Sequence, residues 1–306
     1  MISVIIVAYH RKEFIKRAIE SVINQSLHRT LYEIIVIKNY KDAEIDEFIN
    51  KNCDKNIYSE YKSLGMKLKE AINASKYDII SFLEDDDLFY FEKLNVVRQE
   101  FSRNSKLEYF HNACKIVEAD GKFLRYGGFG PDFNLSSISI RKNYFDQSLI
   151  LDSSSGIDSF VYFACLDSGG EILLDERPLT VYMLHESSSV FKGSFDEVIN
   201  HYCEDAGNFL TNIKILEKLV KTKKVKEILA NMSVKFRLNL NIYSSISKKK
   251  NIDQISLREL LGFLLTSDEV SLSFKSKAIK IFEYYSPLPI KLVIERRRFK
   301  LGQRPT

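Results

Sequence analysis

The sequence predicts an α/β fold: a doubly wound sheet over residues 1–194, followed by an all-helical, basic extension over residues 195–306. Three observations carry this expectation. Short Val/Ile-rich runs alternate with helical periodicity in the first third of the chain, the pattern of a sheet covered on both faces. After about Ser194 the periodicity becomes wholly helical. Charge divides the same way: residues 206–306 hold 21 Lys and Arg against 8 Asp and Glu, whereas the first 205 hold 24 against 33, so a net charge of +4 conceals an acidic part and a basic part. With 306 residues, 45% apolar and 28% charged, the chain has material for one large domain or two ordinary ones and is neither disordered nor collagen-like.

Ile2 to Ala8 is a continuous apolar run and reads as a strand buried on both faces. From Arg11 to Asn24 the residues Phe14, Ile15, Ala18, Ile19, Val22 and Ile23 recur at helical spacing. Tyr32 to Ile37 reads as a second buried strand, Ala43 to Asn50 and Leu64 to Ala74 as helices, and Asn56 to Glu60 as a short strand or a loop. Asp78 to Leu83 is a third strand, and it runs straight into four acids, Glu84, Asp85, Asp86 and Asp87. Tyr109 to Glu118 and Lys122 to Tyr126 flank the turn Ala119-Asp120-Gly121, a hairpin signal. Gly127, Gly128, Gly130 and Pro131 mark a loop, Ser136 to Ile140 a strand, Asp158 to Gly169 a helix, and Ile172 to Leu184 a strand pair broken near Pro178. Beyond these, Glu197 to Thr222, Val225 to Leu240 and Leu257 to Leu265 are amphipathic helices.

No stretch reaches the roughly 20 consecutive apolar residues of a membrane-spanning helix, and Met1 is followed by an apolar run with no basic leader. Cys53, Cys114, Cys165 and Cys203 are far apart and form no C-x-x-C pair, which argues against a zinc site or a disulfide framework. The expected setting is the reducing cytoplasm.

Four consecutive acids at the end of an apolar strand repel one another, and a cation would relieve the repulsion. Mg²⁺ and Mn²⁺ take oxygen ligands and bind through one or two carboxylates plus substrate phosphates. The competing reading is a solvated acidic turn opening a helix, where acids favour the positive end of the dipole. Ligands in doubly wound sheets sit at the carboxyl ends of strands, where these acids fall.

The opening Ile2-Ser3-Val4-Ile5-Ile6-Val7-Ala8-Tyr9-His10-Arg11, the segment Ser21-Val22-Ile23-Asn24-Gln25-Ser26, and Phe82-Leu83-Glu84-Asp85-Asp86-Asp87 together resemble the successive blocks of the family 2 glycosyltransferases. The resemblance covers residues 2 to about 192. It implies a GT-A fold, an activated sugar donor, inversion of the anomeric centre, and Mn²⁺ or Mg²⁺ as cofactor. Glu84-Asp85-Asp86 is similar to the family's D-x-D motif. By that likeness Asp86 ligates the metal bridging the donor diphosphate, Glu84 contacts ribose or a metal-bound water, Asp85 belongs to the donor site, and Asp87 supports them. The opening block implies donor contacts at Ala8, Tyr9 and His10, the last at the family's Asn position.

Gly156-Ile157-Asp158 is similar to the family's G-E-D segment, so Asp158 inherits the role of catalytic base, taking a proton from the acceptor hydroxyl. Without the resemblance Asp158 would read as a helix cap or first-turn acid. Pro178 to Ser189 is similar to the family's P-L-x-x-Y-R-x-H-x-x-S segment, with Met183 in place of Arg, which makes His185 a candidate metal ligand or phosphate contact. A lone His at a strand end is otherwise a surface or hydrogen-bonded residue. After the second strand the family has V-D-D-G-S, whose first Asp reads the nucleobase; here Lys38 and Asn39 replace both acids. An ammonium only donates, so Lys38 cannot accept from a uracil imide, whereas Asn39 can. The competing reading makes Lys38 and Lys41 solvated loop charges.

The implied partners are a nucleotide-sugar donor and a glycan or lipid-linked acceptor. The alternative is a non-catalytic sugar-nucleotide or surface-binding protein on the same fold. The last segment mixes Ile279, Ile281, Phe282, Tyr284, Tyr285, Leu288, Ile290, Leu292, Val293 and Ile294 with Lys280, Lys291, Arg296, Arg297, Arg298 and Lys300. That mixture suits an anionic membrane surface, peripheral on the inner face of the cell membrane, or equally a packed helix with a basic outer face. With no clustered aromatics and no recognisable reading motif, the basic part is not expected to bind nucleic acid.

Overall fold

In the computed structural model Ile2–Ala8 forms β1 with all seven residues buried, as a strand with no polar face requires. The structure describes residues 1–9, 12–127, 130–185, 193–248, 254–267 and 272–300. They fall into two units, Met1–His185 and Glu186–Thr306.

The first unit continues with α1 (Lys12–Ile23), β2 (Tyr32–Lys38), α2 (Ala43–Asn52), β3 (Lys55–Tyr58), α3 (Leu64–Ala74) and β4 (Ile79–Glu84). These strands pair in parallel in the order β3-β2-β1-β4, so their carboxyl ends share one edge of the sheet. Beneath it Ile15, Ala18, Ile19 and Val22 of α1 pack on Val4, Ile6 and Val36, because apolar residues at helical spacing present one stripe to the strands.

Past β4 the sheet becomes mixed. β5 (Leu88–Phe89), α4 (Lys93–Arg103), β6 (Leu107–Glu118), β7 (Phe123–Gly127), β8 (Ile138–Arg141), α5 (Ile157–Ser168) and β9 (Glu171–Leu184) complete the unit. β8 lies antiparallel between β4 and β6, β9 runs parallel to β6, and β5 pairs antiparallel with β9. The hairpin expected at Ala119-Asp120-Gly121 joins β6 to β7, with Gly121 at φ 88°, a left-handed conformation that favours glycine. The strand pair expected around Pro178 is one strand. Pro178 is accommodated where the β6–β9 register shifts, between Asn112 and Ala113.

The second unit is helical: α6 (Phe195–Leu219), α7 (Lys223–Ile246), α8 (Leu257–Leu265), α9 (Phe274–Tyr285) and α10 (Leu288–Lys300). Ser194 with Glu197 and Ser256 with Glu259 form capping boxes that start α6 and α8. Phe209 stacks on Phe236 between α6 and α7, at 4.3 Å between ring centroids. Val234 and Leu238 of α7 form a core with Leu260 and Phe263 of α8. Lys280 and Lys291, expected among the cations of an outward basic mixture, are buried. Among the described residues no helix is long and apolar enough to cross a membrane.

Candidate active site

Glu84 ends β4, and Asp85, Asp86 and Asp87 follow it directly, each with different partners. The amide of Asp85 donates to Val7 O, and its carboxylate accepts from the backbone N–H of Tyr9 at 2.7 Å, so Asp85 fastens the end of β4 to the end of β1. Asp87 accepts from Met183 N at 3.0 Å, fastening the same turn to β9. Both are buried. Charges withdrawn from water in this way persist only where hydrogen bonds replace the lost solvation. Glu84 is half-buried, and Asp86 is buried with its carboxylate on His185.

His185 directly follows β9, and the β5–β9 pairing, Leu88 opposite Val181, brings the strand end back over the acidic turn. His185 Nε2 lies 2.8 Å from Asp86 Oδ2, and the imidazole rests against the Phe14 ring at 4.6 Å between centroids. The pair suits two neighbouring ligand positions of a hard divalent ion: at about 2.1 Å per bond, octahedral neighbours are about 3 Å apart. Among the described residues no group of three His, Cys, Asp or Glu is arranged to hold a metal, so the remaining positions would fall to water and phosphate oxygens.

At the end of β1, Ala8 is buried and Tyr9 exposed, and Lys67 Nζ of α3 lies 4.5 Å from the centre of the Tyr9 ring. His10, expected beside them, lies outside the described residues. At the end of β2 the reading of Lys38 as a solvated charge does not hold. Lys38 is 1% exposed and donates to Tyr40 O and to Asp46, each at 2.7 Å. Its ammonium is therefore committed to the loop and α2. Asn39, by contrast, keeps a buried Oδ1 with no hydrogen-bond partner.

Asp158 lies in the first turn of α5, but it does not cap the helix. Gly156 is the cap residue, at φ 74°, which explains the glycine two positions earlier. Asp158 accepts from Ser159 N and from Asn134 N, each at 3.1 Å. Burial, reinforced by the charge of Asp132, pushes its carboxyl up to about 7. A group poised there exchanges protons readily at neutral pH.

The two acidic blocks are joined by residues that the sequence did not single out. Glu84 N donates to Ser136 Oγ at 2.9 Å, Ser136 N to Asn134 Oδ1 at 3.0 Å, and Asn134 N to Asp158. Asn134 takes φ 61°, a left-handed conformation that Asn tolerates better than most residues. Ser136 O is held in turn by Lys93 Nζ at 2.6 Å and by Thr180 Oγ1 at 3.1 Å. Lys93 is fully buried, and that burial lowers its pKa well below the usual lysine value, against the opposing pull of Asp87.

Residues 3–150 match the model of Glycosyl transferase family 2. An uncharacterized glycosyltransferase of Rickettsia bellii is 32% identical over 134 residues, which is 40% of this chain and 18% of that protein. Protein CgeD of Bacillus subtilis is 26% identical over 133 residues, 39% of this chain and 30% of that one. The chain thus spans less than a third of the length of these relatives. Among solved structures, S. aureus TarS 1–349 in complex with UDP-GlcNAc superposes with a TM-score of 0.56 at 13% identity, over 99% of this chain and 92% of that one. The mannosyltransferase PcManGT of Pyrobaculum calidifontis, in complex with GDP-Man and Mn²⁺, gives 0.54 at 11% identity, over 97% and 86%. At these identities the likeness establishes the fold, and the fold is GT-A.

Proposed function

Because residues 3–150 belong to glycosyl transferase family 2, we propose that the chain is an inverting, metal-dependent glycosyltransferase that moves a sugar from a nucleotide-sugar donor to a hydroxyl acceptor. The observation that carries the reading is the bonded path from Glu84 through Ser136 and Asn134 to Asp158, which joins the acidic turn to a carboxylate poised near neutrality.

In this reading the donor lies across the carboxyl ends of β1, β2 and β4. Asn39 offers its amide oxygen to the nucleobase, Tyr9 flanks the donor, and Glu84 contacts the ribose. Asp86 and His185 would hold Mn²⁺ or Mg²⁺, which would neutralise charge on the departing diphosphate. Asp158 takes the proton of the acceptor hydroxyl as that oxygen attacks the anomeric carbon from the face opposite the leaving diphosphate, so the configuration inverts. Support for the donor class comes from UDP-GlcNAc and GDP-Man, and for the metal from Mn²⁺, in the complexes of the two structural neighbours. The acceptor is a glycan or a lipid-linked glycan, and the reaction takes place in the cytoplasm, at the inner face of the cell membrane where the acceptor is lipid-linked.

A panel of UDP-, GDP- and dTDP-sugars, incubated with the full chain with and without Mn²⁺, tests the proposal. Release of nucleotide diphosphate from one of them, dependent on metal and lost in Asp158→Asn, is the expected result. Metal-independent binding of a sugar nucleotide without turnover would support the non-catalytic alternative instead.

A further inference from the structure

The helices α9 and α10 are packed inside out. Lys277, Lys280, Glu283, Lys291 and Glu295 are 0–8% exposed, whereas Phe274, Phe282, Tyr285 and Val293 are 61–68% exposed. Ordinary surface helices turn the apolar stripe inward and the charges to water. Several of the inward charges have partners, while Glu283 Oε1 and Glu295 Oε2 are buried without one. Arg298 donates to Glu283 at 2.8 Å and also to Glu295; Lys280 donates to Asn239 of α7; Lys277 donates to Thr266 O at 2.5 Å. A buried ionic network carries a desolvation cost that apolar residues of similar volume would avoid. Both helices contact α7; on α9 Lys280, Ile281 and Tyr284 make that packing, while Phe274, Phe282 and Tyr285 stay exposed. On α8 Leu257, Leu261 and Leu265 are exposed as well.

We infer that the outward faces of α8, α9 and α10 form a docking surface for an anionic lipid bilayer, on which the helices lie flat. This goes beyond the transferase reading and does not depend on it. Charge selects the occupant. Arg297 and Lys300 are exposed at the end of α10, beside the apolar residues Ile290 and Val293, and Lys275 is exposed on α9. The whole segment from residue 206 carries 21 basic against 8 acidic side chains. Outward apolar groups inserted to headgroup depth, with cations over the phosphates, are the two signals that stable peripheral binding requires. The cations differ in part from those the sequence suggested: Lys280 and Lys291 face inward, and Arg298 is committed to Glu283 and Glu295.

The test is sedimentation of the full chain with vesicles of phosphatidylcholine alone or mixed with phosphatidylglycerol, at low and high salt. Binding is expected only with the anionic mixture, and weaker in high salt. Phe282→Gln with Val293→Gln should abolish it. Arg297→Gln with Lys300→Gln should weaken it about tenfold or more, since each basic residue near such a surface is worth about fivefold. All four positions are exposed, and circular dichroism confirms that the variants remain folded. Absence of vesicle binding, or equal binding by the variants, would overturn the inference. So would a lipid-free dimer in ultracentrifugation that Phe282→Gln dissociates in a protein that binds no vesicles, which would make this face a contact between copies of the chain.

Discussion

His185 Nε2 stands 2.8 Å from Asp86 Oδ2 although 99 residues separate them in the chain, and both side chains are buried. The approach is a product of sheet pairing: β5 directly follows the acidic turn, and β9, which pairs with β5, ends one residue before His185. Two donors on separate segments, already within ligand spacing, need little rearrangement to close on a cation.

If Asp86 is the anionic ligand, Asp86→Ala should remove Mn²⁺-dependent nucleotide binding, as measured by calorimetry. Asp87→Ala should act differently. Its carboxylate serves Met183 N, so the loss is expected chiefly in stability, about 1–3 kcal/mol for a buried donor left without its acceptor, with a smaller effect on nucleotide affinity. Unchanged Mn²⁺ and nucleotide affinity in the Asp86 variant would refute the assignment.

Asp158 sets the expected pH dependence. Burial and the nearby charge of Asp132 raise its carboxyl to about 7, and a base works only when deprotonated, so kcat/KM should rise with pH and level off above about 7. Asp132→Asn removes a like charge and should move that inflection to lower pH. Asp158→Asn should lower turnover by roughly 100- to 10,000-fold while donor binding survives. Stability moves the opposite way. The folded state binds this proton more tightly than the unfolded chain, so the stabilisation present below about pH 4 is lost as pH rises through 7. Asp158→Asn should therefore gain stability relative to the parent at pH 8, and thermal melts at pH 4 and 8 would show whether the gain is confined to the higher pH.

Asn134 makes the link between the two blocks testable. Asn134→Gly preserves the left-handed backbone and the N–H that serves Asp158, but removes the amide oxygen that accepts from Ser136 N. It should lower kcat with little change in donor KM. Asn134→Ala adds the strain of φ 61° in a residue poorly suited to it, about 1 kcal/mol or more, and should lower Tm further. Equal losses of Tm and kcat in both variants would reduce Asn134 to a structural role.

The parallel half of the sheet was legible because burial on both faces forces an unbroken apolar run, as in Ile2–Ala8, and because apolar residues such as Ile15, Ala18, Ile19 and Val22 recur at helical spacing between the strands. α4 escaped notice: Glu92 makes no side-chain cap bond, and Lys93 occupies a fully buried position that no hydrophobic pattern marks. In α9 and α10 the buried positions include Lys277, Lys280, Glu283, Lys291 and Glu295, so the apolar and basic mixture read from the sequence did not show that Lys280 and Lys291 face inward. The acidic run that holds Asp86 was marked by its charge and its place at a strand end, whereas His185 could be anticipated only from the order of motif blocks. Asn134, Ser136 and Thr180 carried no signal at all, since their roles follow from where β8 and β9 lie in the sheet, and a hydroxyl or amide has no spacing signature.

Lys38 is the position where residue type and structure diverge most from the family pattern, and it yields the final prediction. The ammonium is buried between Tyr40 O and Asp46; burial alone would raise the Asp46 carboxyl, but the hydrogen bonds from Lys38 and Asn56 outweigh it and lower the pKa to about 2. Replacing Lys38 with the Asp typical of the family would set two carboxylates against each other in this space. Lys38→Asp should therefore lower Tm and should not improve UDP binding, although it restores the family's residue. Lys38→Met is the milder variant and should cost about 1.5–3 kcal/mol at neutral pH through the lost charge-assisted bonds. The parent's advantage from Asp46 is present above about pH 4 and lost as pH falls toward 2, so the gap in Tm between parent and Lys38→Met should narrow over that range. A gap that stays constant with pH would show that Lys38 stabilises the loop through Tyr40 O alone. A gain in UDP affinity in Lys38→Asp would mean that the ammonium position, and not Asn39, faces the base.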